Sequence, residues 1–97
     1  SGIYVSPFEV EATLIQHAGV LEAAVIGIND HDGLTKTKAF VVRKEGATVS
    51  EDELKAFVKD KLAAYKYPRA IEFVNELPKT ATGKIQRFKL RAQEAQG

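Results

Sequence analysis

Apolar residues recur along this chain at two spacings, and the switches between them mark out its elements. Val10, Leu14 and Ala18 repeat every four residues while Glu9, Glu11 and Gln16 fall largely off that line, which predicts a first helix. Ser6-Pro7-Phe8-Glu9 opens it: Ser6 can cap, Pro7 suits the first helical position, and Glu9 can reach back to the cap amide. Gly19 is placed to end it near His17. Ahead of it, Gly2-Ile3-Tyr4-Val5 reads as a short extended piece. Leu21 to Ile28, dense in β-branched and small residues, reads as a buried strand closed by the turn cluster Asn29-Asp30-His31-Asp32-Gly33. Thr37 to Arg43 is the next strand, and its Lys44-Glu45-Gly46 exit leads to a second capping box, Ser50 with Glu53. Leu54, Phe57, Val58, Lys61 and Leu62 then return to helical spacing, which Tyr65 to Pro68 stops. Ala70 to Val74 is a third strand and Leu77 to Gly83 a loop. Ile85 to about Ala95 is a last helix, with Phe88 and Ala92 on the Ile85 face.

The order is a short strand followed by α-β-β-α-β-loop-α. That suits an α+β fold, a small sheet of about three main strands with helices packed against it. At 97 residues a second core does not fit. Cysteine is absent, which removes disulfides, thiolate nucleophiles and thiolate metal sites, and favours a cytoplasmic setting over a secreted one. No apolar run approaches the roughly 18–20 residues of a spanning helix, so a membrane role gains no support. Ser1-Gly2 starts abruptly before a strand and Gln93 to Gly97 is polar, which leads us to expect a domain excised from a longer protein.

Charge changes the picture more than composition does. The net charge is +1, but residues 1–53 carry −5 and residues 54–97 carry +6. Lys79, Lys84, Arg87, Lys89 and Arg91 follow one another with no acid between, so an anionic partner should be met by the C-terminal third; a solvated basic face accounts for the same residues. Nucleic acid is disfavoured, since these cations lack an aromatic-studded strand pattern.

The densest candidate for chemistry is Pro78-Lys79-Thr80-Ala81-Thr82-Gly83-Lys84-Ile85-Gln86-Arg87. A polar loop ending in Gly-Lys can turn backbone amides, two hydroxyls and a flexible ammonium toward an oxyanion, with Gly83 free to adopt positive φ. It is not a P-loop: no glycine leads it and no Ser or Thr follows Lys84. From the residues alone, an anion-binding loop and a solvated turn before a basic helix both stand. His17 and His31 lie far apart with no thiol, which gives no metal site, and His17 suits a helix C-terminus while His31 sits in a polar turn. Glu9 and Glu11, two apart on a helix, face different ways, which argues against paired acid–base work. Ser6 lacks a partner base. Tyr65 and Tyr67 straddle Lys66 and suit packing across the helix end.

The same ten-residue stretch resembles the last signature of the acyl-adenylate-forming enzymes, a family of acyl- and aryl-CoA synthetases, luciferases and peptide-synthetase adenylation domains. Gly2-Ile3-Tyr4-Val5-Ser6-Pro7-Phe8-Glu9-Val10-Glu11 resembles the piece just after that family's interdomain hinge. With Tyr65-Lys66-Tyr67-Pro68-Arg69 between them, the resemblance covers essentially the whole chain, and within the family it is nearest to benzoate and hydroxybenzoate CoA ligases. It implies that residues 1–97 form the small C-terminal domain of such a ligase, with the large N-terminal domain and the hinge residue lying before Ser1. The implied reaction joins a carboxylic acid to the α-phosphate of ATP, Mg2+ accompanying the nucleotide without being bound by this domain, and then passes the acyl group to coenzyme A. Lys84 matches the adenylation lysine, Gly83 lets the loop place it, and Thr80 and Thr82 lie in the same loop. Gly2 matches a glycine lining the pantetheine tunnel after the domain rotates between steps, and Lys66 and Arg69 are candidate coenzyme A or phosphate contacts. Lys84 is also a candidate for a lysine acetyltransferase. Two alternatives stay open: a stand-alone nucleotide- or coenzyme A-binding module, and a related adenylation enzyme with a different acyl acceptor.

Overall fold

In the computed structural model, residues 6–29, 35–62 and 66–96 are described. The expected N-terminal extended piece, most of the Asn29–Gly33 turn with His31, and Tyr65 lie outside them. The elements run α1 (Pro7–Ile15), β1 (Val20–Asn29), β2 (Thr35–Arg43), α2 (Glu51–Lys61), β3 (Ala70–Phe73) and α3 (Arg87–Gln96), the order expected from the spacing. β2 is the middle strand of a three-stranded mixed sheet. It pairs antiparallel with β1, Val25 opposite Ala39, and parallel with β3, Ala39 beside Ile71.

Both faces of the sheet are covered, which is why residues 23–26 of β1 and 39–42 of β2 are unbroken apolar runs. On one face Val10 and Leu14 of α1 and Leu54 and Val58 of α2 pack on Ala23, Val25, Ala39, Val41 and Ile71. On the other, Leu77 and Leu90 close over Ala24, Ile26, Phe40 and Val42. Alternate residues of β1 and β2 therefore serve two separate cores.

Four local expectations are corrected by tertiary contacts. Ser6 caps α1 through its carbonyl, which accepts the amides of Glu9 and Val10, and its side chain makes no cap bond. The Glu9 carboxylate turns instead to the Lys66 ammonium at 3.1 and 3.2 Å, since a charge partner outcompetes a cap amide. Gly19 does not end α1 with a left-handed turn; α1 stops at Ile15, and Gly19 packs closely on Val49, whose Cγ1 would lie 3.2 Å from a β-carbon added there. Ile85 precedes α3, and in that helix Leu90 is buried, 3% exposed, while Phe88 is 57% exposed and Ala92 is exposed too. The second capping box is half formed: Ser50 Oγ accepts from the Glu53 amide at 3.1 Å, and the Glu53 carboxylate goes to His17.

His17 does more than end a helix. Its Nδ1 accepts the Gly19 amide at 2.9 Å, which leaves Nε2 to donate to Glu53 Oε2 at 3.1 Å, and its ring meets Phe57 edge-on at 5.0 Å between centroids. The end of α1 is thereby tied to the start of α2.

Candidate functional site

Pro78 to Gln86 folds as a tight hairpin rather than an open loop. Lys79 and Ile85 bridge its arms, the Gln86 amide reaches the Pro78 carbonyl at 2.8 Å, and the Thr80 amide reaches that of Lys84 at 2.9 Å. Thr80 to Gly83 makes the turn, with the Gly83 amide on the Thr80 carbonyl at 2.9 Å and Gly83 at φ +88°. A residue with a β-carbon resists that conformation, which accounts for the glycine. The side chains reinforce the turn: Thr80 Oγ1 accepts the Lys84 amide at 3.1 Å and lies 3.0 Å from Thr82 Oγ1. The amides of Thr80, Gly83 and Lys84 are therefore spent inside the hairpin, which favours the turn over the anion-binding loop, the two readings the sequence left open. What the hairpin presents is the Lys84 side chain, exposed and, among the described residues, without a carboxylate partner.

The other four cations of the basic stretch divide. Lys79 is paired with Glu22 of β1 and Arg87 with Glu11 of α1, whereas Lys89 and Arg91 are exposed on α3. The expected basic face thus shrinks, because acids of the N-terminal half neutralise part of it.

Lys84, Thr80, Thr82 and Gly83 come together at one hairpin. Lys66 and Arg69 stand elsewhere: the Arg69 amide bonds the Thr37 carbonyl at 2.8 Å near the start of β2, whereas the hairpin partner Glu22 lies across from Val42 near its end. Lys66 also contacts Glu9, so its ammonium is already shared. Gly2 lies outside the described residues. Among the described residues, no group of three His, Cys, Asp or Glu could hold a metal ion, and no helix is long and apolar enough to cross a membrane.

Sequence reasoning weighed Glu11 only as half of a carboxylate pair and missed its partners. It is 8% exposed, its Oε2 accepts the Val25 amide at 3.0 Å and Arg87 Nε at 3.1 Å, and its Oε1 takes a second bond from the same guanidinium. One signal was available: Glu11 is three residues before Leu14, so helical spacing puts it on the flank of the apolar stripe.

The hairpin that carries Lys84 stands beside a three-stranded mixed sheet with both faces covered, and comparison with known proteins gives this fold a family. Residues 9–84 match the model of the AMP-binding enzyme C-terminal domain, and the chain belongs to that family. It is 65% identical over 95 residues to a benzoate–CoA ligase of Thauera aromatica, covering 95% of this chain and 18% of the relative. A 4-hydroxybenzoate–CoA/benzoate–CoA ligase of Rhodopseudomonas palustris is 52% identical over 94% of this chain and 18% of its own length. Among solved structures, a benzoate CoA ligase from Burkholderia xenovorans LB400 superposes with a TM-score of 0.80 at 66% identity, over 92% of this chain and 19% of that one. The chain thus spans just under a fifth of the proteins it matches. The resemblance to the adenylate-forming family is borne out, and so is the α+β fold read from the order of elements.

Proposed function

We propose that this chain is the C-terminal domain of an AMP-forming aryl acid–CoA ligase that acts on benzoate or a hydroxybenzoate. The observation that carries the reading is the 65% identity to a benzoate–CoA ligase along 95% of the chain. In the first step a carboxylate oxygen attacks the α-phosphorus of ATP, the bond to the bridging oxygen breaks, and acyl-AMP and pyrophosphate result. In the second, the thiol of coenzyme A loses its proton and attacks the acyl carbon, and AMP leaves with the carbonyl-bound oxygen. The large domain preceding this one holds the acid and most of the nucleotide, with Mg2+ arriving on ATP.

Lys84 is the group this domain contributes to the first step. Its ammonium is exposed at the end of a closed hairpin with no neighbouring carboxylate among the described residues, so its charge is available to an incoming anion. Placed against the carboxylate and the α-phosphate, it offsets charge that builds at the transferring phosphoryl group and holds the reactants in line. Thr80, Thr82 and Gly83 shape the hairpin that presents it. Lys66 and Arg69, at the other end of β2, fit a second face for the phosphates of coenzyme A, reached when the domain rotates. Gly2 is assigned to the pantetheine tunnel of that second state on its sequence match alone. The reaction is placed in the cytoplasm, and acetylation of Lys84 by a lysine acetyltransferase would silence its first step.

The test is to supply the full-length protein with ATP, coenzyme A and benzoate or 4-hydroxybenzoate. Equal yields of aryl thioester, AMP and pyrophosphate are expected. Absence of acid-dependent pyrophosphate release, or transfer only to an amine or a carrier-protein thiol, would replace this reading with a binding module or another acyl acceptor.

A further inference from the structure

The hairpin that carries Lys84 is internally closed, but a closed hairpin can still tilt on its base. Its base packs through Leu77, Ile85 and Leu90, apolar contacts that hold position without setting direction. Two ion pairs flank that base: Lys79 of the first arm with Glu22 of β1, and Arg87, just past the second arm, with Glu11 of α1. The second is the better defined. Two guanidinium nitrogens of Arg87 grip both carboxylate oxygens of Glu11, a fork that fixes distance and plane together. Phe8 lies against the same guanidinium, 5.3 Å from ring centroid to the central carbon. Glu11 itself is held by the Val25 amide at the edge of β1, so the grip is referred to the sheet.

We infer that Glu11 and Arg87 are positioning residues for Lys84: the fork sets the angle at which the hairpin projects its ammonium, and thereby the adenylation step. The inference rests on the reading of Lys84 given above. Arg87 is three residues beyond Lys84, so a tilt at the fork is passed directly to the hairpin. A displacement of about 1 Å at a reacting centre can cost about 10²-fold in rate. Glu11→Gln keeps an oxygen for the Val25 amide but loses the charge and half the fork. Arg87→Lys keeps the charge and loses the planar grip.

The experiment measures two rates on the full-length protein: pyrophosphate release from aryl acid and ATP, and thioester formation from supplied aryl-AMP. Both variants should slow the first by about 10²-fold with KM for acid and ATP unchanged, and leave the second intact. Adding either substitution to Lys84→Ala should cause no further loss, because the pair acts through that lysine. Equal slowing of both steps, a further loss on top of Lys84→Ala, or no slowing at all would overturn the inference. Should Glu11→Gln fail to fold, Arg87→Lys alone decides, since its partly exposed head tolerates the change. A Lys84→Ala protein with normal adenylation overturns the reading of Lys84 and the inference with it; a slow Lys84→Ala protein beside a normal Arg87→Lys protein overturns the inference alone.

Discussion

On the proposed reading Lys84 and Gly83 divide one task between a charge and a backbone angle, and their substitutions should fail differently. If Lys84 supplies the proposed electrostatic contact, Lys84→Ala should lower adenylation in the full-length protein by about 10²–10³ while thioester formation from supplied aryl-AMP persists. Acetylated Lys84 should behave the same way, and Lys84→Arg should rescue poorly, because a planar fork does not occupy the position of a compact ammonium. Rapid-quench measurement of the two half-reactions checks all three. Gly83→Ala meets no steric obstacle, since nothing lies within 4 Å of the added carbon, but it must hold φ near +88°. A cost of about 1–2 kcal/mol is expected, read as a lower melting temperature with the charge of Lys84 intact.

At the scale of elements, the two edge strands are each met by a glutamate from a helix. Glu11 of α1 takes the Val25 amide of β1, and Glu51 at the start of α2 takes the Ile71 amide of β3 at 3.2 Å. Glu51 is held below the ordinary carboxylate range first by its hydrogen bond from Lys55 and then by that amide, against a small opposing effect of burial. A lowered carboxylate stabilises the fold above its unfolded value of about 4.3, and that contribution is lost as pH falls through the folded value. Lys38 is the converse: burial works against its ammonium, but the hydrogen bonds and charges of Glu94 and Glu72 outweigh burial and raise its pKa. Its contribution is complete below about 10.4 and disappears as pH rises through the folded value. Melting temperatures of Glu51→Gln and Lys38→Met should therefore converge on wild type at acid and alkaline pH respectively. Packing gives a sharper contrast within α3: Leu90→Ala should cost about 2–5 kcal/mol and Phe88→Ala well under 1 kcal/mol, by denaturant unfolding.

Across the whole molecule, the uneven charge of the sequence is largely answered from within. Glu9 meets Lys66, Glu11 meets Arg87 and Glu22 meets Lys79, so acids of the negative half hold cations of the positive half, and Lys38 reverses the pattern with Glu72 and Glu94. These pairs join residues 34 to 76 positions apart, and the two apolar clusters share the strands β1 and β2 between them. Elements coupled in this way should unfold together, so the 97-residue chain by itself is expected to melt in one sigmoidal transition with near- and far-ultraviolet dichroism coincident. Separate transitions by the two probes would count against it.

Element order, strand apolarity and the glycine at the hairpin turn could all be read from neighbours along the chain. They depend on spacing, on turn chemistry and on one backbone angle, each settled within a few residues. The partner of a side chain is another matter. Glu9 had a cap amide within reach and took Lys66 instead; Gly19 suited a helix end and packs closely on Val49; α3 carried two apolar registers, and contact with the sheet chose Leu90 over Phe88. The basic stretch reads as five equal cations, yet folding sequestered Lys79 and Arg87 and left Lys84 exposed at the end of a closed hairpin. Local geometry belongs to the sequence because it is a property of adjacent dihedrals, whereas charge pairing and burial are decided between elements that meet only once the sheet has formed.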